Sequence, residues 1–191
     1  MLNVVLFGPP GAGKGTQAVK VADEFQLVHL STGDIFRANI KGETELGILA
    51  KSYIDKGQLV PDEVTINMLR GVVEQNKDAK GFIFDGFPRT IPQAEALDVL
   101  LKDYNAKVDI IVSLEVTEEE LIARLKNRAL TSGRTDDADE NIIKNRIQVY
   151  KNETFPLKDF YTARGIVSVV DGIGSIETIF NNICTAVSAV K

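Results

Sequence analysis

Residues 8–16 read GPPGAGKGT, and this stretch decides the fold. The apolar run Asn3–Gly8 before it reads as a strand, and Ala18, Ala22 and Phe25 after it mark one face of a helix from Gly15 to about Glu24. A glycine-rich loop between a strand and a helix is suited to cradle phosphate. Glycines at 8, 11, 13 and 15 let the backbone wrap closely, so that successive N–H groups face one anion. The helix N-terminus adds partial positive charge, and Lys14 brings a mobile cation to β- and γ-phosphates. One departure matters: Gly15 stands directly after the lysine, ahead of Thr16, which weakens the case for a hydroxyl bound directly to magnesium.

Outward from the loop, short apolar runs alternate with helical patterns. Leu27–Leu30, Gly81–Asp85, Val108–Val116 and Ile166–Asp171 read as further strands, apolar almost throughout, as strands covered on both faces should be. Leu46, Leu49, Ala50, Tyr53 and Ile54 mark a helix, and Pro61 and Pro92 suit first helical positions. Thr117 with Glu120 reads as a capping box opening a helix to about Arg128. A long helix is expected from about Ala138 to Tyr161, kinked or broken near Pro156, and Ser175 opens the last one. The alternation predicts an α/β fold with a mainly parallel sheet and right-handed crossovers. Two stretches depart from it: Ser31–Val60 is helical without a strand, and Asn127–Asp137 is polar without periodicity. Both read as excursions from one core, since 191 residues are too few for two full domains.

The net charge of -5, with no basic run or stripe, argues against nucleic acid or a membrane surface as a partner. Any cationic site must therefore be local. Cys184 is the only cysteine, so no internal disulfide and no cysteine-rich zinc site can form, and it reads as a small core residue. Met1 leads into Val4-Val5-Leu6-Phe7 with no leader-like basic segment, and no apolar run approaches the roughly 20 residues that span a bilayer. A cytoplasmic monomer is the expectation.

Asp85 ends an apolar strand, where a carboxylate faces the ligand crevice of a parallel sheet and can hold magnesium, directly or through water. Arg37, Arg89, Arg124, Arg128, Arg134 and Arg146 supply the positive charge, with Arg124 and Arg128 sharing one helix face, whereas Arg70 and Arg164 read as surface charge. The sole histidine, His29, ends a strand and reads as structural. No Ser-His-Asp set or metal-ligand cluster can be assembled. Transfer to a hydroxyl calls for a base, whereas a phosphate acceptor is already an anion near neutrality. Arginines without a base fit transfer between phosphates, which rests on positive charge, alignment and exclusion of water.

These residues resemble the adenylate kinase family in its bacterial short-lid form. The likeness runs nearly end to end, through GPPGAGKGT (8–16), LSTGDIFR (30–37), GQLVPDE (57–63), FDGFPRT (84–90), Gln93, SGRTDD (132–137) and Asn145-Arg146, and Gly15 is normal for that family. The resemblance implies a P-loop three-layer α/β/α fold with a five-stranded parallel sheet. Its core would comprise 1–30, 61–126 and 138–191, with a helical AMP-binding lobe at 31–60 and a short lid, a brief loop, at 127–137. It implies reversible phosphoryl transfer from MgATP to AMP giving two ADP, with magnesium held by Asp85 through water and no structural zinc. Gly11, Ala12, Gly13, Lys14, Gly15, Thr16, Arg124, Arg128 and Gly174 would serve ATP. Thr32, Arg37, Gln58, Leu59, Val60, Gly86, Phe87, Pro88, Arg89, Gln93, Arg134 and Arg146 would serve AMP. Lys14, Arg89, Arg128, Arg134 and Arg146 would carry the transfer.

The near rival is a UMP/CMP kinase. Thr32, where pyrimidine-specific relatives typically have alanine, Thr90, where they have asparagine, and the Gln93 amide, a donor and an acceptor together, favour AMP. A nucleotide-binding switch is the rival from another class. Asn76-Lys77-Asp78-Ala79 puts the aspartate of a guanine-reading NKxD one residue early, and Asp171-Gly172-Ile173-Gly174 follows the final strand, the wrong place for a switch. A catalytically dead ATP-binding protein is the third reading, disfavoured because every expected charged residue is present.

Overall fold

The computed structural model describes residues 1–132 and 134–191. Its sheet has five parallel strands in the order β2-β3-β1-β4-β5, formed by β1 (Leu2–Phe7), β2 (Val28–Ser31), β3 (Gly81–Asp85), β4 (Ile110–Glu115) and β5 (Val167–Asp171). Side chains alternate across a strand, and here both faces are apolar. Val4, Leu6, Ile83 and Val112 pack on one side against α1 (Lys14–Phe25) and α9 (Ile176–Ser188). Val5, Phe7, Phe82, Phe84 and Ile111 pack on the other against α4 (Asp62–Gln75), α5 (Ile91–Lys102) and α8 (Pro156–Thr162). The expected three-layer α/β arrangement is therefore what the chain adopts.

The two excursions have small cores of their own. Phe36 of α2 (Thr32–Lys41), Ala50 of α3 (Glu45–Ile54) and Val60 form a separate cluster, joined by Tyr53, Val64 and Met68. Leu125 of α6 (Glu118–Ser132) meets Ile143 and Ile147 of α7 (Glu140–Val149).

Several local expectations shift. The segment 127–137 is not a brief loop: α6 continues through Ser132, and a 3₁₀ turn covers Thr135–Asp137, while Gly133 lies outside the described residues. The last turn of α6 has no apolar face to betray it, since Leu130 is 86% exposed. Its Ser132 hydroxyl donates to the Arg128 carbonyl at 2.8 Å. The capping box at its start is half made. Thr117 Oγ1 accepts from the Glu120 N–H at 3.5 Å, but the Glu120 carboxylate turns forward to Arg124 at 2.7 Å. Pro61 is the N-cap of α4 rather than its first residue, and Pro92 follows Ile91 in α5. The long helix breaks as a π turn, Tyr150–Thr154, between α7 and α8, just before Pro156. His29 lies inside β2 rather than at its end, and Cys184 on α9 is only half-buried.

Candidate active site

Register brings the two strand ends of the site together. Leu6 of β1 pairs with Asp85 of β3, so the phosphate loop leaves the sheet beside that carboxylate, at the carboxyl ends of the central strands. Gly8, Gly11 and Gly13 hold φ of +146°, +89° and +91°, a course that side chains rarely follow, and Gly13 caps α1. Not every loop N–H faces outward, because the Ala12 N–H donates to the Pro9 carbonyl at 3.2 Å and closes a turn. Lys14 Nζ donates to the Gly8 and Pro9 carbonyls at 2.7 and 3.0 Å. Burial foremost, with Arg89, Arg146 and Arg128 adding repulsion against the pull of Asp85, lowers the Lys14 pKa to about 8. Burial works to raise the Asp85 pKa, but the His29 imidazole at 3.8 Å and the Lys14 ammonium outweigh it and hold the carboxyl below its ordinary value.

Across the cavity, the turn after β3 is built around one carbonyl. The Gly86 oxygen accepts from Thr32 Oγ1 and from Arg89 Nε, both at 2.8 Å. Gly86 has φ +76°, and a Cβ there would lie 2.8 Å from the Arg89 guanidinium and 2.9 Å from Thr32 Oγ1. Glycine is what lets Arg89 fold back beside its own turn. Burial, then Arg146, lowers the Arg89 pKa to about 10. Arg37 is paired with Asp34 on its own helix. The Gln93 amide is held on both sides: its oxygen accepts from the Arg89 N–H at 2.8 Å and its nitrogen donates to Asp62 at 2.7 Å.

The third side comes from α6 and α7. Arg128 makes a two-pronged contact with Asp137 at 2.6 and 2.9 Å, and Arg134 makes another with Asp136 at 3.1 and 2.7 Å. Arg146 reaches both aspartates, at 2.9 and 2.5 Å. Burial works to raise the Asp136 pKa, but bonding to Arg134 and the charge of Arg146 bring it down to about 2.

These three sides enclose a cavity of about 420 Å³, in the range of a small-molecule site. Of the residues expected to serve a donor nucleotide, Gly11, Gly13, Lys14, Gly15, Thr16 and Arg128 line it. Of those expected on the acceptor side, Thr32, Arg37, Gln58, Leu59, Val60, Gly86, Pro88, Arg89, Gln93, Arg134 and Arg146 do, as does Asp85. Four lie elsewhere. Phe87 and Ala12 point into the two sheet cores, Arg124 is engaged by Glu120 on its own helix, and Gly174 stands beyond β5. Sequence reasoning missed His29, which it read as purely structural although its imidazole lines the cavity beside Asp85. It also missed the roles of Asp62, Asp136 and Asp137 as partners of site residues. The run of two aspartates beside arginines in 134–137 was the available signal for the last pair.

Residues 6–166 match the family model described as adenylate kinase. The chain is also similar to curated adenylate kinases. It is 53% identical to that of Parabacteroides distasonis over 191 residues, covering 100% of both chains. It is 51% identical to that of Bacteroides fragilis over 187 residues, 98% of each, and 54% identical to that of Flavobacterium psychrophilum over 179 residues, 94% of each. The chain belongs to the adenylate kinase family. It is thus a nucleoside monophosphate kinase, a phosphotransferase. No helix among the described residues is long and apolar enough to cross a membrane.

Proposed function

We propose that the cavity carries out reversible, magnesium-dependent transfer of the γ-phosphoryl group of ATP to AMP, and that its sides divide the work. The phosphate loop with Lys14 and Thr16 holds the donor phosphates, and Arg128 lies against them from α6. Thr32, Arg37, Arg89 and Gln93 receive AMP beside Gln58, Leu59 and Val60. Arg89, Arg134 and Arg146 meet the transferring group. Residues 31–60 act as an acceptor lobe and 127–137 as a lid that excludes water, the competing acceptor. The observation that carries this reading is Arg89. It is a cation lining the cavity whose pKa burial lowers to about 10, and it makes no ion pair among the described residues. An acceptor phosphate would supply the missing counter-charge.

The donor chemistry at Asp85 fits magnesium. It is a carboxylate kept ionised at the end of β3, and no group of three or more His, Cys, Asp or Glu side chains suited to a metal occurs among the described residues. Such an ion would take its remaining ligands from phosphate and water, as Mg²⁺ commonly does, and would neutralise charge on the donor phosphates. No structural zinc is expected. The enzyme acts as a cytoplasmic monomer on ATP, AMP and ADP.

Initial rates with MgATP and AMP, CMP, UMP or GMP in turn test the assignment. AMP should be preferred by a wide margin. Preference for CMP or UMP would reject the acceptor, and absence of transfer to every monophosphate would reject the reaction.

A further inference from the structure

Gln93 is 2% exposed and lines the cavity, yet one of the two groups that fix its side chain is not part of the cavity lining. Asp62, the first residue of α4, accepts from Gln93 Nε2 at 2.7 Å and from Thr90 Oγ1 at 3.0 Å with the same oxygen. Thr90 is itself the N-cap of α5, its oxygen accepting from the Gln93 backbone N–H at 3.3 Å. Asp62 does not line the cavity. The chemistry of the two anchors is one-directional. A carboxylate accepts only, so it takes the nitrogen end of the amide, and the Arg89 backbone N–H donates only, so it takes the oxygen end at 2.8 Å. A half-turn of the amide would set oxygen against oxygen and N–H against N–H.

We propose that Asp62 is a positioning residue that locks the sense of the Gln93 amide and thereby makes the acceptor site choose a 6-amino over a 6-oxo purine monophosphate. This rests on the reading that Gln93 meets the acceptor base. Asp62 uses one of the two hydrogens on Nε2, and the Arg89 N–H uses one of the two lone pairs on Oε1. One donor and one acceptor remain, in a fixed order along the cavity wall. A 6-aminopurine presents an acceptor at N1 beside a donor at N6. A 6-oxopurine presents the reverse order, a donor at N1 and an acceptor at O6. With the amide locked, one order pairs and the other meets two repulsions. With the amide able to turn, both orders can be met, and selectivity falls.

The experiment is Asp62→Ala, assayed at saturating MgATP with AMP, inosine monophosphate and GMP. KM for AMP should rise about tenfold with kcat within about twofold, and the preference for AMP over inosine monophosphate should fall at least about tenfold, the worth of one charged-acceptor hydrogen bond. Asp62→Asn can meet either end of the Gln93 amide, so it should recover much of the KM for AMP while the preference stays lowered. Glu63→Gln, which removes the neighbouring charge on that first turn, should leave both parameters unchanged. Should Asp62→Ala not fold, Asp62→Ser, whose hydroxyl is too short to reach Gln93, replaces it. Unchanged nucleotide preference in a folded Asp62→Ala or Asp62→Ser protein overturns the proposal, as does an Asp62→Asn protein that keeps the parent's preference. Gln93→Leu separates this from the underlying reading. If KM for AMP does not move in Gln93→Leu, Gln93 is not the base reader. If it moves there but selectivity holds without Asp62, only the locking role fails.

Discussion

Two sides of the cavity concentrate cations and treat them in opposite ways. At the ends of β1 and β3, Lys14 and Arg89 rest on backbone carbonyls and make no ion pair among the described residues, and burial lowers both pKa values. On the α6–α7 side, Arg128, Arg134 and Arg146 are tied to Asp136 and Asp137. Under the proposed function the difference lies in what an arriving phosphate would do. At Lys14 and Arg89 it would relieve a charge that the fold holds out of water. At Arg128 and Arg146 it would compete with a carboxylate already bonded, so binding would be coupled to a change of partners. That division suits a reaction that must not begin until both nucleotides are seated and water is excluded.

The strongest way to break the comparison is to remove the unpaired cation. Arg89→Ala should lower kcat by about a thousandfold or more, the range in which a transition-state arginine acts. It should leave the thermal midpoint unchanged or raised, because a buried cation without a counter-ion opposes folding. Rates and a melting curve on the same sample decide it. Loss of less than tenfold in kcat would mean that Arg89 does not meet the transferring charge.

The paired side should respond in the reverse sense. The Asp137 side chain is 0% exposed and touches Arg128, Arg134 and Arg146. Asp137→Asn should destabilise the protein by about 3 kcal/mol, as removal of one partner from a buried ion pair does. Its arginines would then meet phosphate without first giving up a carboxylate, so saturating MgADP should raise its melting midpoint by more than it raises the parent's. Destabilisation below about 1 kcal/mol would mean that the Asp137 pairs do little to hold the fold, and an equal ligand shift would place the nucleotide elsewhere than on these arginines.

The contrast also explains what could be read in the sequence. The loop side was legible because its chemistry is backbone chemistry. Glycines at 8, 11 and 13 in order with Lys14, after an apolar strand, leave one structural outcome, and the partner strand ends on Asp85 by simple register. The paired side was less so. Residues 127–132 bury no apolar side chain, so periodicity cannot reveal this last stretch of the helix. Ion-pair partners within 134–137 depend on how that turn folds over α7, which composition does not encode. Gln93 was legible as a residue, but its orientation was not, because the group that sets it, Asp62, lies 31 positions away in sequence. Phe87 shows the converse error. A motif places it beside the site, yet it lies past the end of β3 and its ring packs in the core with Phe82 and Phe84.

The mildest test uses pH alone, and it separates the activity of Lys14 from its cost to folding. Its folded pKa is lowered to about 8, whereas the reference value is 10.5. Below about pH 8 the amine is charged in both the folded and the unfolded chain, and the burial cost is present in full. Between about pH 8 and 10.5 the folded protein releases a proton that the unfolded chain retains, so the contribution of this group to stability rises with pH. Activity must run the other way, because only the charged amine attracts phosphate. The value of kcat/KM for MgATP, which reports the enzyme before nucleotide binds, should therefore fall as pH passes about 8. The kcat limb should hold to higher pH, since bound phosphates favour the charged form. In Lys14→Met the alkaline fall in kcat/KM should vanish from what activity remains, together with this group's rising limb in the stability profile. If the variant kept the same alkaline limb, the titrating group would be another residue, and the unpaired state of Lys14 would have no bearing on how the loop draws in its nucleotide.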